Sequence, residues 1–285
     1  MKKTSFFLFF CLSLNVFSQT PKTLLWEISG NGLKNPSFLF GTYHLITSSY
    51  IDSFPMIRDR FEKTKGLVGE MLIDETTIAK VGAAVLMTDS SLTQLLSESD
   101  YKLVAACLKE ISGMNLILFD KVKPVVVSTF FYASLLADTK GKAMDIYFQD
   151  IAKEEGKRVI GLETVEEQIA VLFDGNPLKQ QAQQLVLSVK EKDKNREEVQ
   201  QTNYCYRMQD LDCLSKFLNE GVELTPAVMD KLLYDRNRKW MLKLPDLMKE
   251  QGLFVAVGAG HLPGEKGLLN LLIEKGFTVR PVMMR

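Results

Sequence analysis

Phe254-Val255-Ala256-Val257-Gly258-Ala259-Gly260-His261-Leu262 is an apolar run that ends in a Gly-x-x-His turn, and Phe38-Leu39-Phe40-Gly41-Thr42-Tyr43-His44-Leu45, at the other end of the chain, has the same form. Short apolar runs bounded by glycine read as buried strands. The segments after the two turns also match. After His44 come an amphipathic helical stretch at 54–65, Gly66 and the strand Leu67-Val68-Gly69-Glu70-Met71-Leu72. After His261 come an apolar helix at 268–273, Gly276 and a strand at 277–282. One unit of strand, turn, helix and strand thus occurs twice, and the alternation predicts an α/β fold.

The two turns hold both histidines of the 285-residue chain. Glycine lets the backbone turn sharply, and a strand end projects the imidazole beyond the sheet, where ligands of α/β folds commonly sit. Either histidine alone would be an ordinary core or surface residue. As a matched pair they predict one polar site. Glu70 is the first candidate to join them, because a carboxylate in an otherwise apolar strand is unfavourable unless paired or metal-bound. An outward-facing strand residue explains it equally well. Glu163, between a strand and a helix, is the second candidate, although acids at helix starts are ordinary dipole partners. Arg236 is a third, as an anion or oxyanion binder.

Two histidines and one or two carboxylates suit a divalent metal such as Mn, Zn, Co or Fe. Such an ion lowers the pKa of a bound water towards neutrality. The expected ligands are His44, His261 and Glu70, with Glu70, Glu163 and Arg236 as catalytic candidates. HExxH, Gly-x-Ser-x-Gly, a P-loop and a dinucleotide fingerprint are all absent from the sequence.

Between the repeated units the chain reads as largely helical, with helices over 91–97, 100–111 and 124–137, the last opening on Pro124. A strand follows at 156–163. Thr164 and Glu167 have capping-box spacing, which opens the next helix. Residues 178–218, rich in Gln, Lys and Glu with regularly spaced leucines, predict one or two long helices. Thr225-Pro226 predicts a capped helix carrying Arg236, Asn237 and Trp240. Near the start, residues 24–26 and 37–40 read as strands of a hairpin across Gly30-Asn31-Gly32.

The opening Met1-Lys2-Lys3, followed by Phe6-Phe7-Leu8-Phe9-Phe10, has the form of a signal peptide ending near residue 18, too short to span a bilayer. Phe10 before Cys11 argues against lipidation. The expectation is an exported, periplasmic or secreted protein with one domain at 19–285 and no transmembrane span after cleavage. Acidic and basic residues balance at 35 each, which argues against a nucleic-acid partner. Cys107, Cys205 and Cys213 remain after cleavage, an odd number that excludes a disulfide scaffold. Cys205 and Cys213 can bridge only if a turn separates them, since eight residues of continuous helix hold them about 12 Å apart.

These residues together resemble the TraB/GumN family with its Tiki-like members. The resemblance rests on Trp26-Glu27-Ile28, Phe38 to His44, Glu70, Lys123-Pro124, Asp145, Gly161-Leu162-Glu163-Thr164 with Gln168, Arg236-Asn237, and Val257 to Leu262. It covers essentially the whole chain after residue 18. It implies a mixed central sheet flanked by helices, related to erythromycin-esterase-like and ChaN-like proteins, with a large helical middle segment. It also implies a site built from both Gly-x-x-His motifs, a glutamate and an arginine, matching His44, His261, Glu70 and Arg236. Animal Tiki members resemble divalent-metal-dependent proteases acting on Wnt ligands, whereas bacterial GumN-like members mostly lack an assigned substrate. Val125 stands where relatives often have Trp, which implies a different pocket wall. The resulting expectation is an exported metal-dependent hydrolase of peptides or of small esters or amides. A non-catalytic metal-, cofactor- or peptide-binding module and a metal-free esterase-like hydrolase are the alternatives.

Overall fold

The computed structural model describes residues 21–135, 141–220 and 226–284. The expected signal peptide, residues 136–137 of the apolar helix and the Thr225 cap lie outside them. Six strands form one mixed sheet: β1 (Leu25–Ser29), β2 (Ser37–Thr42), β3 (Gly66–Met71), β4 (Arg158–Glu163), β5 (Leu253–Gly258) and β6 (Thr278–Pro281). Their order is β4-β3-β5-β2-β1-β6. The first four in that order run parallel; β1 is antiparallel to β2, and β6 is antiparallel to β1.

The burial of each strand follows from its place. β5 is central and buried along nearly its whole length, so it reads as a continuous apolar run, as strands covered on both faces do. β4 lies at the edge and is buried only at Leu162 and Glu163. Phe40, Phe61, Phe148 and Phe254 pack beside the sheet with ring centroids 5.1 to 6.2 Å apart. They tie β2 and β5 to the helices Pro55–Glu62 and Met144–Glu154.

The middle of the chain is helical, and it has a hydrophobic cluster of its own. Leu92, Val104, Leu108, Val127, Phe131, Leu185 and Val189 meet there, from helices that include Glu98–Ser112, Pro124–Ser134 and Leu178–Lys190. Pro124 opens its helix in the first turn, where its missing N–H is not needed. The capping box forms as the sequence implies: the N–H of Glu167 donates to Thr164 Oγ1 and that of Thr164 to the Glu167 carboxylate. Residues 178–218 break into three helices rather than one or two: Leu178–Lys190, Lys192–Arg207 and Leu211–Glu220. The turn before Leu211 satisfies the condition for a bridge, and Cys205 and Cys213 form a disulfide with Cα atoms 5.6 Å apart. Further helices are Glu75–Ala84, Met144–Glu154 and Leu244–Glu250. Among the described residues no helix is long and apolar enough to cross a membrane.

Candidate active site

The carboxyl ends of the four parallel strands carry the site. Register alone brings the two turns together, because Gly41 pairs with Val257 and Thr42 with Gly258 on adjacent strands. On the other side of β5, Gly69 is level with Ala256, and Met71 on β3 is level with Glu163 on β4. Glu163, Glu70, His261 and His44 therefore follow one another across the sheet in strand order. A Cβ on Gly258 would stand 3.3 Å from Glu70 Oε1, a tight contact. The Gly258 N–H donates to that oxygen at 2.9 Å.

Arg236 is the hub of the cluster. Its helix Asp235–Trp240 follows a π-helical turn, Asp230–Tyr234, a local widening often found at functional sites. Nε and Nη2 donate to the two oxygens of Glu163 at 2.8 and 3.0 Å. Nη2 also donates to Glu70 Oε2 at 2.5 Å, and Nη1 to the carbonyl of Leu232 at 3.0 Å. Trp240 Nε1 gives Glu163 a further hydrogen bond at 2.9 Å. Both oxygens of Glu163 are thus engaged in holding Arg236 and Trp240.

Burial works to raise the pKa of Glu70, but the charges of His261, Arg236 and His44 and the Gly258 N–H outweigh it and bring the value to about 2. His261 moves the other way. Burial first, then the cations Arg236 and His44, lower its pKa to about 3, against the pull of Glu70. A neutral His261 cannot be what keeps Glu70 ionised at neutral pH, so that task falls to Arg236, with His44 and the Gly258 N–H.

The tautomer of His261 can be assigned from its neighbours. Both donors of the Asn237 amide are used on the carbonyls of His261 and Lys266, at 3.1 and 2.9 Å. Asn237 Oδ1 must then accept from His261 Nδ1, 2.7 Å away. The lone pair is left on Nε2. It faces the Nη1 group of Arg236 at 3.2 Å and Glu70 Oε1 at 3.8 Å.

His44 occupies the other lip of the same cleft. Its Nδ1 lies 3.1 Å from Asp145 Oδ2, with the side chain 70% exposed. The Thr42 hydroxyl donates to the second oxygen of Asp145 at 3.0 Å. Asp145 above all, and Glu70 in addition, push the His44 pKa up to about 9 against desolvation and the charge of Arg236. So open an ion pair contributes little stability and serves to orient the ring. Beneath the turn, the buried Tyr206 hydroxyl donates to the Gly41 carbonyl at 2.7 Å, and its ring stacks on Tyr43. Tyr206 directly follows Cys205, so the disulfide anchors the residue that supports the turn.

The cleft between these groups has a volume of about 490 Å³ and is lined by His44, Glu70, Asp145, Gln168, Arg236 and His261. All four predicted core residues thus line one cavity, while Glu163 stands behind Arg236. Of the three expected metal ligands, only His261 and Glu70 are adjacent. His44 faces Asp145 instead. Among the described residues no group of three His, Cys, Asp or Glu side chains surrounds one point. The chemistry of the donors nevertheless suits a divalent ion: a neutral imidazole lone pair beside an ionised carboxylate, with the far ring nitrogen hydrogen-bonded as metal-binding histidines usually are.

Asp145 and Asn237 stand in the sequence only as parts of motifs, without roles. The available signal is an amide directly after Arg236 on the same short helix. Val125 is not among the residues that line the cleft; its N–H donates to Gln181 in the helical region. The different pocket wall expected from that position is therefore not a feature of this cleft.

Residues 24–281 match the TraB/PrgY/gumN family. The chain belongs to this family. The TraB/PrgY/gumN chain is also 24% identical to the metalloprotease TIKI2 of Danio rerio, over 90% of its own length. It spans about 60% of that relative. No solved structure matches it.

Proposed function

We propose that this protein is an exported hydrolase of peptide bonds or related amides and esters, acting with a divalent metal at the cleft. The observation that carries the reading is the meeting of His44, Glu70, Arg236 and His261 in one cavity. The name of the zebrafish relative supports the reaction class. The Cys205–Cys213 disulfide supports export, since such bonds persist in oxidising compartments.

His261 Nε2 and Glu70 are the residues that would hold the ion, with His44 contributing from the facing lip. The ion, when bound, would supply a polarised carbonyl and an activated water. Asn237 keeps His261 in the tautomer that presents a lone pair. Glu163 and Trp240 fix Arg236, whose guanidinium is placed to take negative charge developing on the carbonyl oxygen. In the overall reaction the water oxygen bonds to the carbonyl carbon, the C–N or C–O bond breaks, and a proton passes to the leaving group.

The test is metal analysis of the purified protein, followed by assay on a broad peptide and ester panel with Mn, Zn or Co added. One bound ion per chain, and activity lost in His261→Ala and Glu70→Gln, are expected. Failure of all three metals to give either activity or a shift in melting temperature would sink the metal reading.

One observation favours a second reading. Arg236 already bonds both His261 Nε2 and Glu70, as a built-in cation would in a metal-free, esterase-like hydrolase. Hydrolysis that survives exhaustive chelation would select this alternative.

A further inference from the structure

Away from its polar cluster the cleft is apolar. Ile146, Leu172, Leu214, Leu232 and Leu233 line it, from four separate elements. Ile146 and Leu172 are 42% and 39% exposed. Leucine and isoleucine side chains left open to water around a concave site mark a surface that a ligand covers. The volume of about 490 Å³ accommodates a leucine- or phenylalanine-sized group together with the backbone on either side.

The charges point the same way. Among the described lining residues Arg236 is the sole lysine or arginine, and it is shared between Glu70 and Glu163. His44 is paired with Asp145. Neither Arg236 nor His44 is thus uncommitted. A substrate carboxylate or phosphate bound by these side chains would have to displace one of the pairs. A free peptide C-terminus finds no clamp among these groups.

Building on the hydrolase reading above, we propose that the substrate is a neutral amide or ester anchored by a bulky apolar side chain or acyl chain beside the scissile carbonyl. The same geometry makes the protein act on internal bonds rather than on residues bearing a free C-terminal carboxylate.

The experiment uses the full chain and end-blocked octapeptides of one sequence that differ only at a central residue, either Phe, Leu, Asp or Lys. A matching Phe peptide is cut short, so that its free carboxylate directly follows the site. Binding is read by fluorescence anisotropy and cleavage by mass spectrometry. The Phe and Leu peptides should bind at least tenfold more tightly than the Asp peptide and the free-carboxylate peptide. Ile146→Asp and Leu172→Asp, at half-exposed positions, should lose that preference at an unchanged melting temperature. If either variant unfolds, the peptide series on the wild type still decides. Equal or tighter binding of the acidic peptides, or no binding of any peptide, overturns the proposal. Cleavage without side-chain preference overturns it but leaves the hydrolase reading intact. Preferential binding of Phe and Leu peptides without cleavage under any metal condition keeps the apolar anchor and removes the hydrolase.

Discussion

Gly41 lies directly against Ala259: a Cβ on Gly41 would stand 3.0 Å from both the Cα and the Cβ of Ala259. The first residue of one Gly-x-x-His turn is thus packed on the second residue of the other. The two halves of the repeat meet at backbone level. Gly41→Ala forces the turns apart at a point where backbone, not a flexible side chain, is the obstacle. The expected loss is about 1–3 kcal/mol of stability, typical of overpacking, with a shift in the His44 and His261 ring signals. Urea unfolding and NMR of the two histidines check it.

Glu163 holds Arg236 from behind. Glu163→Ala leaves a buried guanidinium with one carboxylate partner and Trp240 Nε1 with none, so destabilisation of about 3–5 kcal/mol is expected. Glu163→Gln keeps an acceptor for Trp240 and should be milder. Calorimetry of both variants provides the comparison, and equal losses would show that the charge on Glu163, not the acceptor that Gln retains, carries its contribution.

The pH dependence of stability follows from three shifted groups. Glu70 has its folded pKa depressed to about 2 from 4.5, so its contribution is present above pH 4.5 and disappears as pH falls towards 2. His261, depressed to about 3 from 6.5, acts in the same direction: below pH 6.5 the unfolded chain takes up a proton that the folded chain refuses. Stability should therefore decline on acidification from about pH 6.5 downwards. His44, raised to about 9 from 6.5, contributes below pH 6.5 and loses its contribution as pH rises through 9. Its solvent exposure keeps that effect small. Melting temperatures from pH 3 to 10 should show a steep acid limb and a shallow alkaline one. In Glu70→Gln the acid limb should flatten.

Cys213→Ser removes a bridge between residues eight apart in sequence. Loop-closure entropy for so short a loop is worth about 2–3 kcal/mol. Because Tyr206, next to Cys205, supports the Gly41 carbonyl, activity at the cleft should fall together with stability. Parallel measurement of melting temperature and turnover, with and without reductant, checks the link. Unchanged turnover in the reduced wild type would separate the bridge from the site.

The repeat of apolar strand and Gly-x-x-His is legible in the sequence because buried parallel strands are continuous runs of apolar residues and their ends are punctuated by glycine. Glu70 is legible because a charge inside such a run needs a partner. Asn237 and Asp145 are not, since nothing in local sequence says that an amide will use both donors on two carbonyls, or that an acid opening a helix will face a histidine about 100 residues away in the chain. The break of 178–218 into three helices is hidden for a related reason. Lys, Glu and Gln favour helix throughout that stretch, and only packing and the disulfide fix where the chain turns. Residue types fit a three-donor site, and only the fold shows that Asp145 pairs with His44 while Arg236 bonds both His261 and Glu70.

The position of β5 sets the order in which the site can come into being. It is the fifth strand to be made, yet it lies between β3 and β2 and is joined to β2 across 216 residues, where the Leu253 N–H reaches Ser37. Until residues 253–261 have emerged from the ribosome, β2 and β3 have no partner between them, and Glu70 lacks both Gly258 and His261. Closure of the sheet and assembly of the cleft are therefore one event, slow as pairings of distant segments are, and a nascent chain has no site until residue 261 is free to pair.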